Sequence, residues 1–257
     1  MPKLILAYHG VGDYKNEDNH WIEYGQQRYD LKELSVLADL FEKQLAYLRR
    51  QGYRPVSLKD YLGSWQKKIT LPSKSVVITF DDGFQNFFSF ARPLLKKYGY
   101  TATIFLVTDK INSNNRDFLS WEEVIRLKEE GFSFEAHTCS HSSLTSLSLE
   151  EAKQEIEESK KIIEEKIKRP CEFFSYPYGE FDSAIQTLVK EAGFLGAVVT
   201  PHGPGVKEGP YSLKRVGINK DNSIWVFKFK VKGGFSWLRE RGFLWKILTK
   251  VKSLKRV

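Results

Sequence analysis

The chain has 257 residues, 41% of them hydrophobic, 28% charged and 14% aromatic, with 40 Lys and Arg against 32 Asp and Glu for a formal net charge of +8. That balance excludes a disordered or fibrous chain, and the length is enough to bury a substantial core. No apolar run reaches the roughly 20 residues of a membrane-spanning helix, and Cys139 and Cys171 are too few for a disulfide framework.

At the amino terminus, five apolar residues from Leu4 to Tyr8 precede His9. This is short of a signal-peptide core of roughly 7–15 residues, so a cytoplasmic protein is expected. Strand-like runs fall at residues 4–8, 76–80, 102–107, 132–136, 173–176 and 195–200. Helical patterns lie between them. Leu34, Leu37, Phe41, Leu45 and Leu48 form a stripe closed by Gly52; residues 87–98 are stopped by Gly99, and residues 121–130 by Gly131. Ser148-Leu149-Glu150-Glu151 is a capping box opening a helix with Ala152, Ile156, Ile163 and Ile167 on one face, before Pro170. A fifth helix is expected over residues 183–192. The alternation predicts an α/β fold with mainly parallel strands. One domain is expected over residues 1–227, followed by a tail over residues 228–257.

The tail holds the charge. Ten Lys and Arg against Glu240 give residues 228–257 a charge of +9, which leaves residues 1–227 at −1. Leu244, Ile247, Leu248, Val251 and Leu254 recur at helical spacing among the lysines, with Trp237, Phe243 and Trp245 nearby. A basic amphipathic helix of this kind can lie on an anionic membrane surface, and it can equally dock on its own domain. No nucleic-acid-binding module accompanies it, and no nucleic-acid partner is expected.

Four polar clusters follow directly on predicted strands: His9, Asp81-Asp82-Gly83, His137-Thr138-Cys139-Ser140-His141 and Ser175-Tyr176-Pro177-Tyr178-Gly179. In a β/α barrel such positions share the carboxyl-end face where active sites form. A turn would explain one Asp and the Gly, but not a second carboxylate ending a buried strand. His137 and His141, four apart, can share a metal on a helix or compact loop. With one carboxylate they make a two-His-one-carboxylate set that suits zinc and also non-haem iron.

Thr79-Phe80-Asp81-Asp82-Gly83, His137-Thr138-Cys139-Ser140-His141 and Tyr176-Pro177-Tyr178-Gly179, in this order, resemble the polysaccharide deacetylases of carbohydrate esterase family four, over roughly residues 1–220. The resemblance implies a distorted, incomplete (β/α) barrel that removes N-acetyl groups from amino sugars with one divalent metal, zinc first, with cobalt, nickel, manganese or iron as alternatives. It implies Asp82, His137 and His141 as metal ligands, Asp81 as catalytic base and the Tyr178 backbone N–H as oxyanion donor. Two departures matter. Ser175 stands where many members carry an Arg that orients the base, a role Arg215 could take. A late Leu-x-His motif is missing, and His9 resembles its displaced form in the branch that de-N-acetylates poly-N-acetylglucosamine. His9 is therefore expected as general acid, with His202 as competitor. Pro177 and Tyr178 are expected to touch substrate, and Trp121 could stack on a sugar or pack in the core.

The expected substrate is an N-acetylated glycan or glycolipid, met by an enzyme held at the inner face of the membrane through residues 228–257. The alternatives are an inactive glycan-binding protein on the same fold and a metallohydrolase of a non-sugar amide.

Overall fold

The computed structural model describes residues 4–13, 21–25, 27–201 and 205–234. His20, His202 and the tail beyond residue 234, with Trp237, Phe243 and Trp245, lie outside the described residues.

Eight strands build the main sheet: β1 (Leu4–Tyr8), β2 (Ser75–Phe80), β3 (Thr103–Leu106), β4 (Ser133–Ala136), β5 (Phe173–Ser175), β6 (Gly196–Val199), β7 (Leu213–Lys214) and β8 (Val216–Gly217). They lie in the order β7-β6-β5-β4-β3-β2-β1-β8, every pairing parallel, and the short strand Arg54–Pro55 adds to β2. The two ends of this path, β7 and β8, are separated in sequence by Arg215 alone. The sheet is thus a nearly closed barrel with one unsealed seam, and Arg215 sits at the seam. Arg215 N–H donates to Val199 O at 2.8 Å on one side, and Ile218 N–H donates to Ala7 O at 2.8 Å on the other.

Helices surround the sheet: α1 (Ala38–Arg50), α2 (Leu58–Trp65), α3 (Arg92–Tyr98), α4 (Thr108–Asn112), α5 (Trp121–Glu129), α6 (Leu149–Ile167), α7 (Ser183–Glu191) and α8 (Ile224–Val231). With both faces covered, β1 and β2 are buried at every position, as parallel strands require. Alternation divides the core in two. Ile5, Val77, Phe105, Phe173, Val198 and Leu213 cluster with Leu58, Tyr61 and Leu62 of α2. By strand alternation, Val77 shares its face with Thr79, and Phe173 with Ser175. The intervening residues, such as Leu6, Tyr8, Ile78 and Phe80, pack instead with Phe41, Leu45 and Leu48 of α1 and with Ile156 and Ile163 of α6.

The predicted strands all form: 4–8 as expected, 76–80 lengthened by Ser75, and the other four shorter by one or two residues. The Ser148 capping box opens α6 as expected. The first helix differs: it starts at Ala38 rather than Leu34, because Ser35–Leu37 pairs in parallel with Gly10–Gly12. A Cβ on Gly10 would lie 2.3 Å from Ser35 Oγ, so this close pairing needs glycine. Residues 87–98 are a π-helical turn, Phe87–Ala91, running into α3. The expected boundary after residue 227 falls inside α8, where Phe227, Lys230 and Val231 are all buried. No helix among the described residues is long and apolar enough to cross a membrane.

Candidate active site

The carboxyl ends of the strands deliver the polar clusters to one place. His9 follows β1, Asp81 and Asp82 follow β2, His137 follows β4, Tyr176 follows β5, Thr200 follows β6 and Arg215 follows β7. All of them, with His141 and Tyr178, line a cavity of about 180 Å³.

Tight backbone aims these side chains. Asp82, Thr138, His141 and Tyr178 have φ of 73°, 66°, 66° and 58°, a left-handed conformation costing on the order of 1–3 kcal/mol for each non-glycine residue. Local hydrogen bonds offset it. Asp81 N–H donates to Tyr8 O at 2.9 Å, and Gly83 N–H donates to Asp81 O at 3.0 Å. His141 N–H donates to Thr138 Oγ1 at 2.9 Å. Gly179, at φ 68°, passes so close to the Thr200 carbonyl that a Cβ would meet it at 2.7 Å. From α6, Glu155 takes the backbone N–H groups of Cys139 and Ser140, both at 2.9 Å, and the Ser140 hydroxyl at 2.7 Å. One carboxylate therefore holds the loop between the two histidines.

His137 and His141 sit on that loop rather than on a helix. Their Nε2 atoms lie 3.6 and 3.4 Å from Asp82 Oδ1. One ligand atom from each of Asp82, His137 and His141 falls within 4.8 Å of the others, and all three residues are buried. The Ser175 carbonyl faces His137 Nδ1 at 2.7 Å, which assigns the proton to that nitrogen and leaves the Nε2 lone pair toward Asp82. The His141 ring stacks on Tyr24, with centroids 4.2 Å apart and planes 27° apart.

Electrostatics single out the same group. Burial, then the neighbouring Asp81, push the Asp82 carboxyl well above its usual range, and Asp82 Oδ1 has no hydrogen-bond partner. Burial lowers His137 to about 4 and His141 to about 2, so both imidazoles are neutral and able to ligate at ordinary pH. A crowded, partnerless carboxylate oxygen facing two neutral imidazole nitrogens fits a divalent cation.

Asp81 has the opposite fate. Burial favours its protonated form, but Arg215 overrides this and holds the carboxyl well below the usual range. Arg215 Nη1 donates to Asp81 Oδ1 at 2.7 Å and Nη2 to Oδ2 at 2.6 Å, a bidentate fork. The same guanidinium donates to Thr79 Oγ1 at 3.1 Å and Ser175 Oγ at 2.9 Å. Beneath it lies the Phe105 ring, 5.5 Å away. The two adjacent carboxylates are thereby driven in opposite directions, one held ionised and one fitted to a cation, a pattern that suits different chemical roles.

Two expected substrate contacts lie away from the cavity wall. Trp121 is the first residue of α5; its Nε1–H donates to Asn112 Oδ1 at 2.9 Å and its ring packs against the core. Pro177 is buried in the turn that presents Tyr178 and does not itself line the cavity. Cys139 and Cys171 are free and buried. Two contributors escape the sequence reading: Glu155, and Tyr24 from the hairpin of Trp21–Tyr24 and Gln27–Asp30. The buried Tyr24 hydroxyl is turned toward the Asp82 carboxylate without meeting hydrogen-bond geometry.

Comparison with known proteins joins this geometry to a family. Residues 68–197, just over half of the chain, match the polysaccharide deacetylase family model. The chain belongs to the polysaccharide deacetylases. It is 30% identical over 231 residues to a poly-beta-1,6-N-acetyl-D-glucosamine N-deacetylase of Staphylococcus aureus, covering 85% of this chain and 79% of that one. It is 29% identical over 180 residues to YxkH of Bacillus subtilis, 70% of this chain but only 64% of that relative's length. The fold is that of the Streptococcus pyogenes deacetylase PplD solved with acetate, at a TM-score of 0.75 and 24% identity over 88% of this chain and 96% of that one. The family-model match begins at residue 68 and so leaves His9 and Tyr24 outside it.

Proposed function

We propose that this deacetylase is a metal-dependent hydrolase that removes N-acetyl groups from an N-acetylated amino-sugar glycan and releases acetate. One observation carries the reading: the Asp82, His137 and His141 donors converge within 4.8 Å, beside an Asp81 carboxylate forked by Arg215. The Staphylococcus aureus relative, by its name, acts on poly-N-acetylglucosamine, and a polymer or lipid-linked glycan of that type is the substrate we favour.

Asp82, His137 and His141 would hold the metal; the mixed nitrogen and oxygen set suits zinc and is compatible with cobalt, nickel, manganese or iron. When bound, such a cation supplies Lewis acidity toward water and the acetamide carbonyl. Asp81, kept ionised by Arg215, takes the proton of the attacking water. The Tyr178 backbone N–H stabilises the oxyanion that develops on the carbonyl oxygen; one such donor is worth roughly 2.7–4 kcal/mol in other hydrolases. His9, at the carboxyl end of the neighbouring strand β1 and lining the same cavity, protonates the departing amine, which leaves as the free amino sugar. The Arg215 fork argues against an inactive glycan-binding protein, since the base does not lack an orienting partner.

The charge of +9 on residues 228–257 supports peripheral contact with an anionic membrane. The enzymatic reading is tested by acetate release from N-acetylated oligosaccharides and poly-N-acetylglucosamine, with metal content measured in parallel. Release that stops with chelator and returns with zinc is expected. Release indifferent to chelation overturns the metal role; glycan binding without release supports the inactive alternative, and release only from non-sugar amides moves the substrate class.

A further inference from the structure

Helix α8 is apolar on both sides. Its inner face is docked: Phe227 packs edge-on to Tyr47 of α1 at 6.2 Å, and the Val231 carbonyl accepts from the Tyr53 hydroxyl at 3.5 Å. Lys230, also on the inner face, donates from Nζ to Gly217 O at 2.6 Å and to Asn222 Oδ1 at 2.7 Å, fastening the helix to β8. Among the described residues, the outer face is left largely exposed. Trp225 is 75% exposed, Phe229 45% and Val226 38%. These residues, one helical turn apart or adjacent, form one patch on a helix that cannot rotate to hide them. Lys228 lies over the Trp225 ring at 4.4 Å.

We propose that this outer face of α8 is the apolar anchor of the protein on an anionic lipid surface, a reading that rests on the peripheral contact inferred above. Charge decides between possible occupants. Lys228 and Lys232 flank the patch, and residues 235–257 contribute seven further Lys and Arg against Glu240. A basic segment cannot neutralise a basic-rimmed patch, whereas an anionic bilayer complements both at once. Trp and Phe beside Lys is also the composition that settles at the headgroup boundary, rings inward and ammonium groups outward. The helix follows β8 by a short loop from the carboxyl end of the barrel, and Lys220 in that loop pairs with Glu33, next to the cavity-lining Leu34. The anchor therefore starts at the same end of the barrel as the cavity.

The experiment uses the full chain, with vesicle co-sedimentation on phosphatidylglycerol–phosphatidylcholine and on pure phosphatidylcholine. Trp225→Ser with Phe229→Ser is expected to weaken binding to the anionic vesicles about tenfold or more. Soluble-substrate turnover stays at the parent value, since neither side chain lines the cavity. A second full-length variant, Lys246→Glu with Lys250→Glu and Lys252→Glu, separates patch from tail. If it alone abolishes binding while the α8 variant binds like the parent, the α8 proposal is overturned and peripheral contact stands. If the parent ignores anionic vesicles, both fall. A patch variant that instead dissociates a dimer seen by light scattering, with lipid binding intact, overturns the proposal in favour of a second copy of the chain.

Discussion

Ser175 and Arg215 share one space beside Asp81: Arg215 Nη2 lies 2.9 Å from Ser175 Oγ, so only a side chain as short as serine leaves room for the guanidinium. The small residue on β5 and the long one at the seam are two halves of one solution for holding the base.

Arg215→Gln should therefore leave Asp81 buried without its cation. A nearby Arg typically lowers a carboxyl by roughly 1–3 pH units, so the acid limb of the kcat/KM profile should move upward by at least about one unit. Arg215→Lys keeps the charge, loses the fork, and should fall between. The pH–rate profile is the measurement, and an unmoved acid limb in both variants would remove Arg215 from the mechanism.

Base and ligand should separate cleanly. Asp81→Asn is expected to retain metal after dialysis while turnover drops about 10²–10⁴-fold, the usual worth of a positioned general base. His137→Ala should lose the metal itself. Metal analysis beside acetate release checks both, and metal loss from the Asp81 variant would place that residue among the ligands.

Glu155 acts through the loop it holds. Glu155→Ala frees two backbone N–H groups between the histidines and should weaken metal affinity about 10–100-fold, as loss of an outer partner does elsewhere. Saturating metal should restore much of the turnover, and Glu155→Gln, which still accepts from both groups, should restore affinity. A competitive metal titration reads this directly.

Glu135 predicts a pH dependence of stability. It is buried in β4, accepts the N–H groups of Glu172 and Phe173, both at 2.7 Å, and burial pushes its carboxyl up to about 8. The folded chain therefore keeps a proton that the unfolded chain has released above its ordinary value of 4.5. Stability from this group is full below that value and is lost as the pH climbs through about 8. Glu135→Gln, of the same shape and never charged, should flatten the loss. Urea unfolding at about pH 5 and about pH 9 should show the variant gaining on the parent at the higher pH.

The sheet and the candidate metal set were legible because both are written in short stretches. A buried strand ending in Asp81-Asp82-Gly83 carries its fold and its chemistry in adjacent residues, and the two histidines lie within one loop. Arg215 was readable only as a candidate, since strands of two residues on either side show no periodicity. Tyr24 lies in an aromatic, charged stretch that reads as an ordinary loop; only the hairpin's return over the cavity brings it onto His141. Glu155 hides among Glu150, Glu151, Glu157 and Glu158, where local pattern predicts a solvated helix face. Its contact with the 137–141 loop is purely tertiary. The helix expected from Leu34 began late for a similar reason, as a non-local pairing with Gly10–Gly12 outweighed helical spacing.

The seam that roots Arg215 gives the proposed base a mechanical dependence. Arg215 is rooted between β7 and β8, and its guanidinium reaches to Thr79 and Asp81 at the end of β2 and to Ser175 at the end of β5. A shift of this seam that carried the guanidinium off Asp81 would leave a buried carboxylate whose burial favours the protonated form. With Asp81 as the proposed base, a displacement too small to unfold the domain would thus silence turnover reversibly, so the tightness of this one joint becomes the quantity to protect.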